Sequence, residues 1–266
     1  MATTTAERDA GRGRDVRLWQ FRVSHFNEKV RWALDFKGVR HRRSALVPGF
    51  HVPRVLRMTG QQKVPVLEVD GRVIYDSSRI IGELERLYPD PPLYPQNAEA
   101  RQRALSLQRF FDEEVAPDVR RIFWSTYIPS VSASADLCAA GASRTARLAW
   151  WALSPLMVPI FRLNMGLDEA RVRRAHEQLP RYLDRLASEI GASGYLVGER
   201  FGLADLAAAA IVSGVVRPPE SPYPLPDPWP DALLALREQL DAHEAVRWVC
   251  RIYQQHRGVS AATRDE

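Results

Sequence analysis

Residues 61–84, QQKVPVLEVDGRVIYDSSRIIGEL, constrain this chain more than any other stretch. A short apolar strand opens at Val64-Pro65, turns at Asp70-Gly71, returns as a second strand and enters a helix through Asp76-Ser77. Proline lacks a backbone donor and disrupts the interior of a paired strand, but it fits at a strand's start. A cis Val-Pro bond there can turn the preceding backbone outward. Val64 then offers its N–H and C=O to a peptide-like ligand instead of a neighbouring strand.

The flanking segments supply a frame for this hairpin. Residues 16–21 (VRLWQF) alternate as a strand. Ser24 stands where a helix cap belongs, with Asn27 and Glu28 in the first turn. Phe26, Val30, Ala33 and Leu34 follow at helical spacing, and Gly38 gives a stop signal. Residues 42–47 read as a second strand and residues 51–58 as a short helix. The order βαβ, hairpin, helix predicts a mixed α/β sheet. Residues 88–95, YPDPPLYP, break the last helix, and beyond them the pattern is helical almost throughout. The division is therefore a disordered lead-in (1–15), an α/β domain (16–90), a linker (91–97), an all-helical domain (98–256) and a tail (257–266). Within the helical part, prolines 155 and 159 are expected to break residues 143–163 into a pair of helices. The apolar stretch within it, residues 148–163, is also shorter than the roughly 20 residues of a membrane span.

Composition narrows the function. Two cysteines, Cys138 and Cys250, lie far apart, which argues against a disulfide framework or dithiol chemistry, and the six histidines show no metal-ligand spacing. The N-terminus lacks the apolar core of a signal peptide, so a cytoplasmic protein is expected. Residues 1–96 carry 17 Lys and Arg against 11 Asp and Glu, whereas the remainder carries 20 against 21. The positive excess sits in the α/β half and suits a small anionic ligand. Arg40-His41-Arg42-Arg43 has no interleaved aromatics, so nucleic acid is not the expected partner.

Four pieces in sequence order resemble the glutathione transferase superfamily of the serine type: SHFNEKVRWAL as the first helix, KVPVL as the cis-proline element, DSSRIIGEL as the γ-glutamyl-binding motif, and YLVGERFGLADLAAA in the helical domain. The resemblance covers roughly residues 16–256. It implies a thioredoxin-like N-terminal domain, a mixed sheet with a cis-proline, followed by an all-α C-terminal domain. It implies glutathione as co-substrate, with another low-molecular-weight thiol as an alternative, and a homodimer. Three departures stand out: Gly202 replaces a Ser or Thr cap, His25 replaces a common Pro, and Asp76 replaces the commoner Glu or Gln.

On this resemblance Ser24 donates its hydroxyl to the ligand's sulfur, although the same residue also suits a plain helix cap. Val64 and Pro65 meet the cysteinyl part, and Asp76 and Ser77 the γ-glutamyl part. Lys63, Gln62 and His51 are the candidates for the glycyl carboxylate. His25 is a second donor or a solvent-facing bystander, and Lys29 and Arg31 are solvated or interdomain. A hydrophobic electrophile is expected between the domains, lined by Phe111, Trp124 and Tyr127, though aromatics at helical spacing also build cores. The expected activity is thiol transfer. A glutathione-dependent isomerase or dehalogenase, and a non-catalytic scaffold of the same fold, are the alternatives.

Overall fold

The computed structural model describes residues 13–141, 143–225 and 227–265. Residues 16–94 follow the order β1 (Val16–Gln20), α1 (His25–Phe36), β2 (His41–Ala45), α2 (Val52–Thr59), β3 (Val66–Val69), β4 (Arg72–Tyr75) and α3 (Ser77–Leu87). The helical part comprises α4 (Ala98–Phe110), a π-helical turn (Phe111–Val115), α5 (Ala116–Tyr127), α6 (Val131–Cys138), α7 (Arg144–Met165), α8 (Glu169–Ser188), α9 (Leu203–Val216), α10 (Asp231–Leu240) and α11 (Glu244–His256). A last strand, β5 (Ala262–Asp265), returns to the sheet.

The sheet order is β4-β3-β1-β2-β5. β1 runs parallel to β2 and antiparallel to β3, and β3 pairs antiparallel with β4, so the thioredoxin-like sheet is mixed. The Val64-Pro65 bond is cis. The tail expected from sequence instead docks. Ala262 aligns with His41 in a parallel β2–β5 pairing, and Ala261 N–H donates to Asp35 Oδ1 at 2.9 Å. The first twelve residues of the expected lead-in lie outside the described residues. Asp15, its last residue, is held by Asp70, whose Oδ1 accepts from Asp15 N–H at 2.9 Å.

α1 is enclosed on nearly all sides: Asn27 through Asp35 are buried. Val30, Trp32, Ala33 and Leu34 belong to the main core, which also takes in α9, buried along its whole length because its sequence is apolar all round. Polar residues on α1 are therefore paired internally. Glu28 Oε1 and Oε2 accept from Arg257 Nε at 2.6 Å and Arg31 Nε at 2.7 Å. Asp35 accepts from Arg257 Nη1 at 2.9 Å and Arg43 Nη2 at 2.7 Å. Five buried charges thus alternate from β2 through α1 to the end of α11. Burial pushes both carboxyls up, but the facing guanidiniums outweigh it and hold them below their ordinary values.

Two further details differ from the sequence reading, or explain it. Residues 144–165 form one continuous helix in spite of Pro155 and Pro159. Pro155 cannot donate to Trp151 O, and the Ser154 hydroxyl takes that carbonyl at 2.7 Å instead. Gly202 stands at the cap of α9 because a Cβ there would lie 3.0 Å from Leu93 O, where the linker runs against the helix. The Asp205 carboxylate then holds Gly202 N–H at 2.9 Å and Leu196 N–H at 2.8 Å.

Replacing Arg257 by Met removes the central cation from between two buried carboxylates, which should lower the unfolding free energy by about 3–5 kcal/mol. Glu28 and Asp35 are depressed in the folded state, so their contribution is present above their unfolded values near 4.5 and 3.8 and is lost as pH falls through the folded ones. Urea unfolding of wild type and variant at neutral pH and at about pH 3 checks both points, and the deficit should shrink in acid.

Candidate active site

The register of the sheet brings the sequence candidates together. Trp19 pairs with Val66, and Val66 pairs with Tyr75. The segments just beyond these residues, Gln20–Ser24, Val64–Pro65 and Asp76–Ser77, therefore emerge at the same end of the sheet. Ala45, opposite Gln20, ends β2 there too and leads into residues 47–51.

Ser24 caps α1 with extended backbone (φ −82°, ψ 128°), yet its hydroxyl makes no capping bond. The helix N-terminus and the Oγ thus both remain available to a ligand. Ser24 is one wall of a narrow cleft of about 20 Å³, room for about one water. Arg22, Arg31, Ser213, Arg217 and Tyr223 also line it. Arg31 is committed to Glu28 and to the backbone of this turn, donating to Phe21 O at 3.3 Å and Ser24 O at 3.4 Å.

Asp76 has φ +72°, ψ 123°, a conformation costly for a residue with a Cβ, of order 1–3 kcal/mol. Its Oδ1 accepts from Ser78 N–H and Arg79 N–H, both at 3.0 Å, and closes the first turn of α3. Ser77 is buried beside it. The Ser78 hydroxyl donates to Asp112 Oδ2 at 2.7 Å, and Lys29 Nζ donates to both Asp112 oxygens at 2.6 and 2.7 Å. Burial lowers the Lys29 pKa, opposed by Asp112 and then Asp76. Lys29 is thus interdomain and fully buried, not solvated.

Other candidates take different places. His51 Nδ1 accepts from Gly49 N–H at 3.1 Å, so its Nε2 carries the proton and contacts Gln62 O at 2.9 Å. With both ring nitrogens engaged, His51 braces the loop that carries Gln62 and Lys63 and has no free nitrogen for a carboxylate. Lys63 and Gln62 are exposed on that loop. The expected aromatic pocket is corrected: Phe111 lies in the main core, and Trp124 and Tyr127 in a second packed cluster with Trp150 and Phe161. None of the three lines the cleft beside Ser24. Trp124 meets Phe161 edge-on at 4.7 Å, and burial pushes the Tyr127 phenol up to about 12.

The sequence reading missed Arg217 and Tyr223. Arg217 ends α9 in a left-handed conformation (φ +52°) and donates from Nη2 to Tyr223 O at 2.9 Å. Burial lowers its pKa, and among the described residues no carboxylate forms an ion pair with it. The Tyr223 ring lies 4.9 Å from the Arg22 guanidinium and 5.0 Å from that of Arg31, and Gln20 Nε2 donates to its hydroxyl at 3.1 Å. The proline-rich connection after Arg217 is thereby strapped over the cleft. In sequence it reads only as a spacer, and the arginine before Pro218-Pro219 was its one signal.

A thioredoxin-like domain with a cis-proline edge, joined to a helical domain that closes over the start of its first helix, defines a two-domain class of fold. The sequence profile of the glutathione S-transferase N-terminal domain matches residues 18–92, and that of the C-terminal domain matches residues 149–255. The chain belongs to the glutathione S-transferase superfamily. It is 32% identical over 105 residues to a maleylpyruvate isomerase of Ralstonia sp, covering 38% of this chain and 50% of that protein. It is 26% identical over 206 residues to glutathione S-transferase TCHQD of Arabidopsis thaliana, covering 72% of this chain and 73% of that one. The chain spans about half the length of the first curated relatives it matches. Among solved structures, a β-etherase of Sphingobium sp. strain SYK-6 superposes with TM-score 0.59 at 19% identity, covering 89% of this chain and 98% of that chain. A theta class enzyme of Xanthomonas axonopodis pv. citri with glutathione bound gives 0.56 at 20%, covering 93% and 99%. These structural likenesses concern the fold alone.

His25, beside Ser24, is buried, and its pKa falls from 6.5 to about 3 through burial, then the charges of Arg120 and Lys29. Gly214 packs against it, and the missing Cβ there makes room for Val119, whose Cγ1 would lie only 2.6 Å away. His25 should stay neutral at every pH above about 4, so its ring NMR shifts should be flat between about pH 5 and 8. A titration in that window would show the ring to be solvated and open to proton transfer.

Proposed function

We propose that this protein is a glutathione-dependent enzyme that uses Ser24 to stabilise a thiolate and Arg217 to hold an acidic electrophile. Ser24 carries the reading: a hydroxyl at a helix N-terminus, not spent on capping, in a cleft at the sheet end shared with Val64 and Asp76. A free thiol has a pKa near 8.5, and lowering it by two units needs about 2.7 kcal/mol. A helix N-terminus contributes roughly 0.3–2 kcal/mol and a hydroxyl bond to the anion about 1.5–3. Those two contributions suffice without a metal.

The residues at the start of α3 suit the γ-glutamyl end. The Asp76 and Asp112 carboxylates favour its ammonium, while Ser77 and the α3 N-terminus favour its carboxylate. Val64, Pro65, Gln62 and Lys63 supply the adjoining edge and loop. We place this chemistry in the cytoplasm, with the homodimer of the sequence expectation as the assembly.

Sequence alone suggested a hydrophobic acceptor, but the cleft favours an anionic one. Among the described residues the partly buried Arg217 guanidinium has no carboxylate in ion-pair contact, since the nearby Glu28 is already held by Arg31 and Arg257, and a ligand carboxylate would neutralise it. The names maleylpyruvate isomerase and maleylacetoacetate isomerase among the relatives fit such a substrate. In transfer the thiolate adds and a leaving group departs with its electron pair. In isomerisation the thiolate adds, a bond rotates, and the thiolate is expelled again.

Steady-state turnover of an acidic and a neutral electrophile of matched reactivity tests both assignments. Ser24→Ala should lower kcat/KM for both by about 10- to 100-fold and raise the pKa of the bound thiol. Arg217→Gln should raise KM for the acidic acceptor by a similar factor and leave the neutral one unchanged. No thiol binding and no turnover would overturn the enzyme reading. Turnover indifferent to Arg217→Gln would overturn only the acidic acceptor.

A further inference from the structure

α7 turns more apolar surface outward than its sequence requires for packing. Its inner face, through Trp150, Ser154 and Phe161, covers the second cluster around Trp124. On the opposite face Leu148, Trp151, Leu156, Ile160 and Leu163 are 66%, 59%, 64%, 47% and 80% exposed. Leu148, Leu156 and Leu163 recur at two-turn spacing, so the stripe is continuous over about 22 Å of helix. A helix that is apolar all round normally lies inside a protein, and a patch of this kind marks an interaction surface.

The charges around the stripe say what covers it. No Asp or Glu occurs from residue 137 to residue 167. Arg144 and Arg162, both exposed, are 18 residues apart, five full turns, and so flank the stripe on one edge at its two ends. A second copy seated across a two-fold axis fits poorly. An antiparallel pairing sets Arg144 against the mate's Arg162, a parallel one sets like against like, and the helix has no acid to offset either. Lipid phosphates fit well, because arginines on the edge of an apolar face reach outward to them while the stripe sinks among acyl chains. Trp151 belongs at the headgroup boundary of such an arrangement. No helix among the described residues is long and apolar enough to cross a membrane, so the contact lies in the plane of the surface.

We propose that α7 docks this protein on the surface of an anionic lipid bilayer. The full-length protein is floated with vesicles of phosphatidylcholine, alone or mixed with phosphatidylglycerol. Wild type should float with the mixed vesicles and much less with phosphatidylcholine alone. The triple variant Trp151→Ser, Leu156→Ser, Leu163→Ser should weaken binding at least roughly tenfold, and Arg144→Glu with Arg162→Glu should abolish the preference for anionic lipid. All five side chains are exposed, and circular dichroism melts matching wild type confirm the fold. Trp151 is the one exposed tryptophan among seven. Brominated acyl chains should therefore quench part of the wild-type fluorescence, a readout that needs no variant. Failure to float with either vesicle, or binding indifferent to lipid charge and to the arginine reversals, overturns the proposal. A wild-type dimer that the triple variant converts to monomer, with no vesicle binding, assigns the stripe to a second copy instead.

Discussion

Five alternating charges buried along α1 tie together parts of the chain that are far apart in sequence. Arg43 lies on β2, Asp35 and Glu28 on opposite ends of α1, Arg257 just after α11, and Arg31 beside the Ser24 turn. Each charge would be expensive to bury alone, since desolvation rivals the attraction of any single pair. Arranged in alternation, every carboxylate meets two guanidiniums, and the central guanidinium meets two carboxylates. The row also fixes geometry. Arg31 holds the backbone of Phe21 and Ser24, and Asp35 receives Ala261 N–H, so the docked C-terminus and the turn bearing Ser24 share one rigid support.

The candidate site inherits that rigidity but is completed from the helical domain. Asp112, on the π-helical turn, reaches Lys29 of α1 and Ser78 of α3 at once, so both helix N-termini are referenced to the same carboxylate. Arg217 and Tyr223 close the other side, the latter wedged against two guanidiniums and hydrogen-bonded to Gln20. Under the function proposed above, the sheet end would present the thiol-binding groups, whereas the α9 terminus and its strap would decide the character of the second ligand. Such a division lets one scaffold keep a thiol site while its acceptor varies with loop chemistry.

α7 follows a different logic. Its inner side chains fill a satellite cluster against α5, and Ser154 satisfies the carbonyl that Pro155 abandons, so the prolines do not break the helix. Its outward stripe contributes nothing to that cluster. Apolar surface of this extent is retained where something outside the fold covers it.

Local chemistry, read from the sequence, sufficed for the elements around the hairpin. Strand alternation, Asp70-Gly71 at the turn, Ser24 and Asp76 at helix starts, and Gly38 at a helix end each act within a few residues. The two-domain fold, and the convergence of Ser24, Val64 and Asp76, follow from such signals once the strands pair. Tertiary structure alone decided the rest. Arg217 is a helix-terminal arginine until packing removes most of its water and the nearby Glu28 carboxylate is taken up by Arg31 and Arg257. Phe111, Trp124 and Tyr127 carry the residue types of a pocket, but packing makes them core. The apolar pattern that predicts a proline-broken helix pair over 143–163 is silent on which side of the single observed helix faces out, because burial depends on neighbours far away along the chain. Local rules in the hairpin set which backbone edge and helix start stand at that end of the sheet, and long-range packing set which side chains stand beside them.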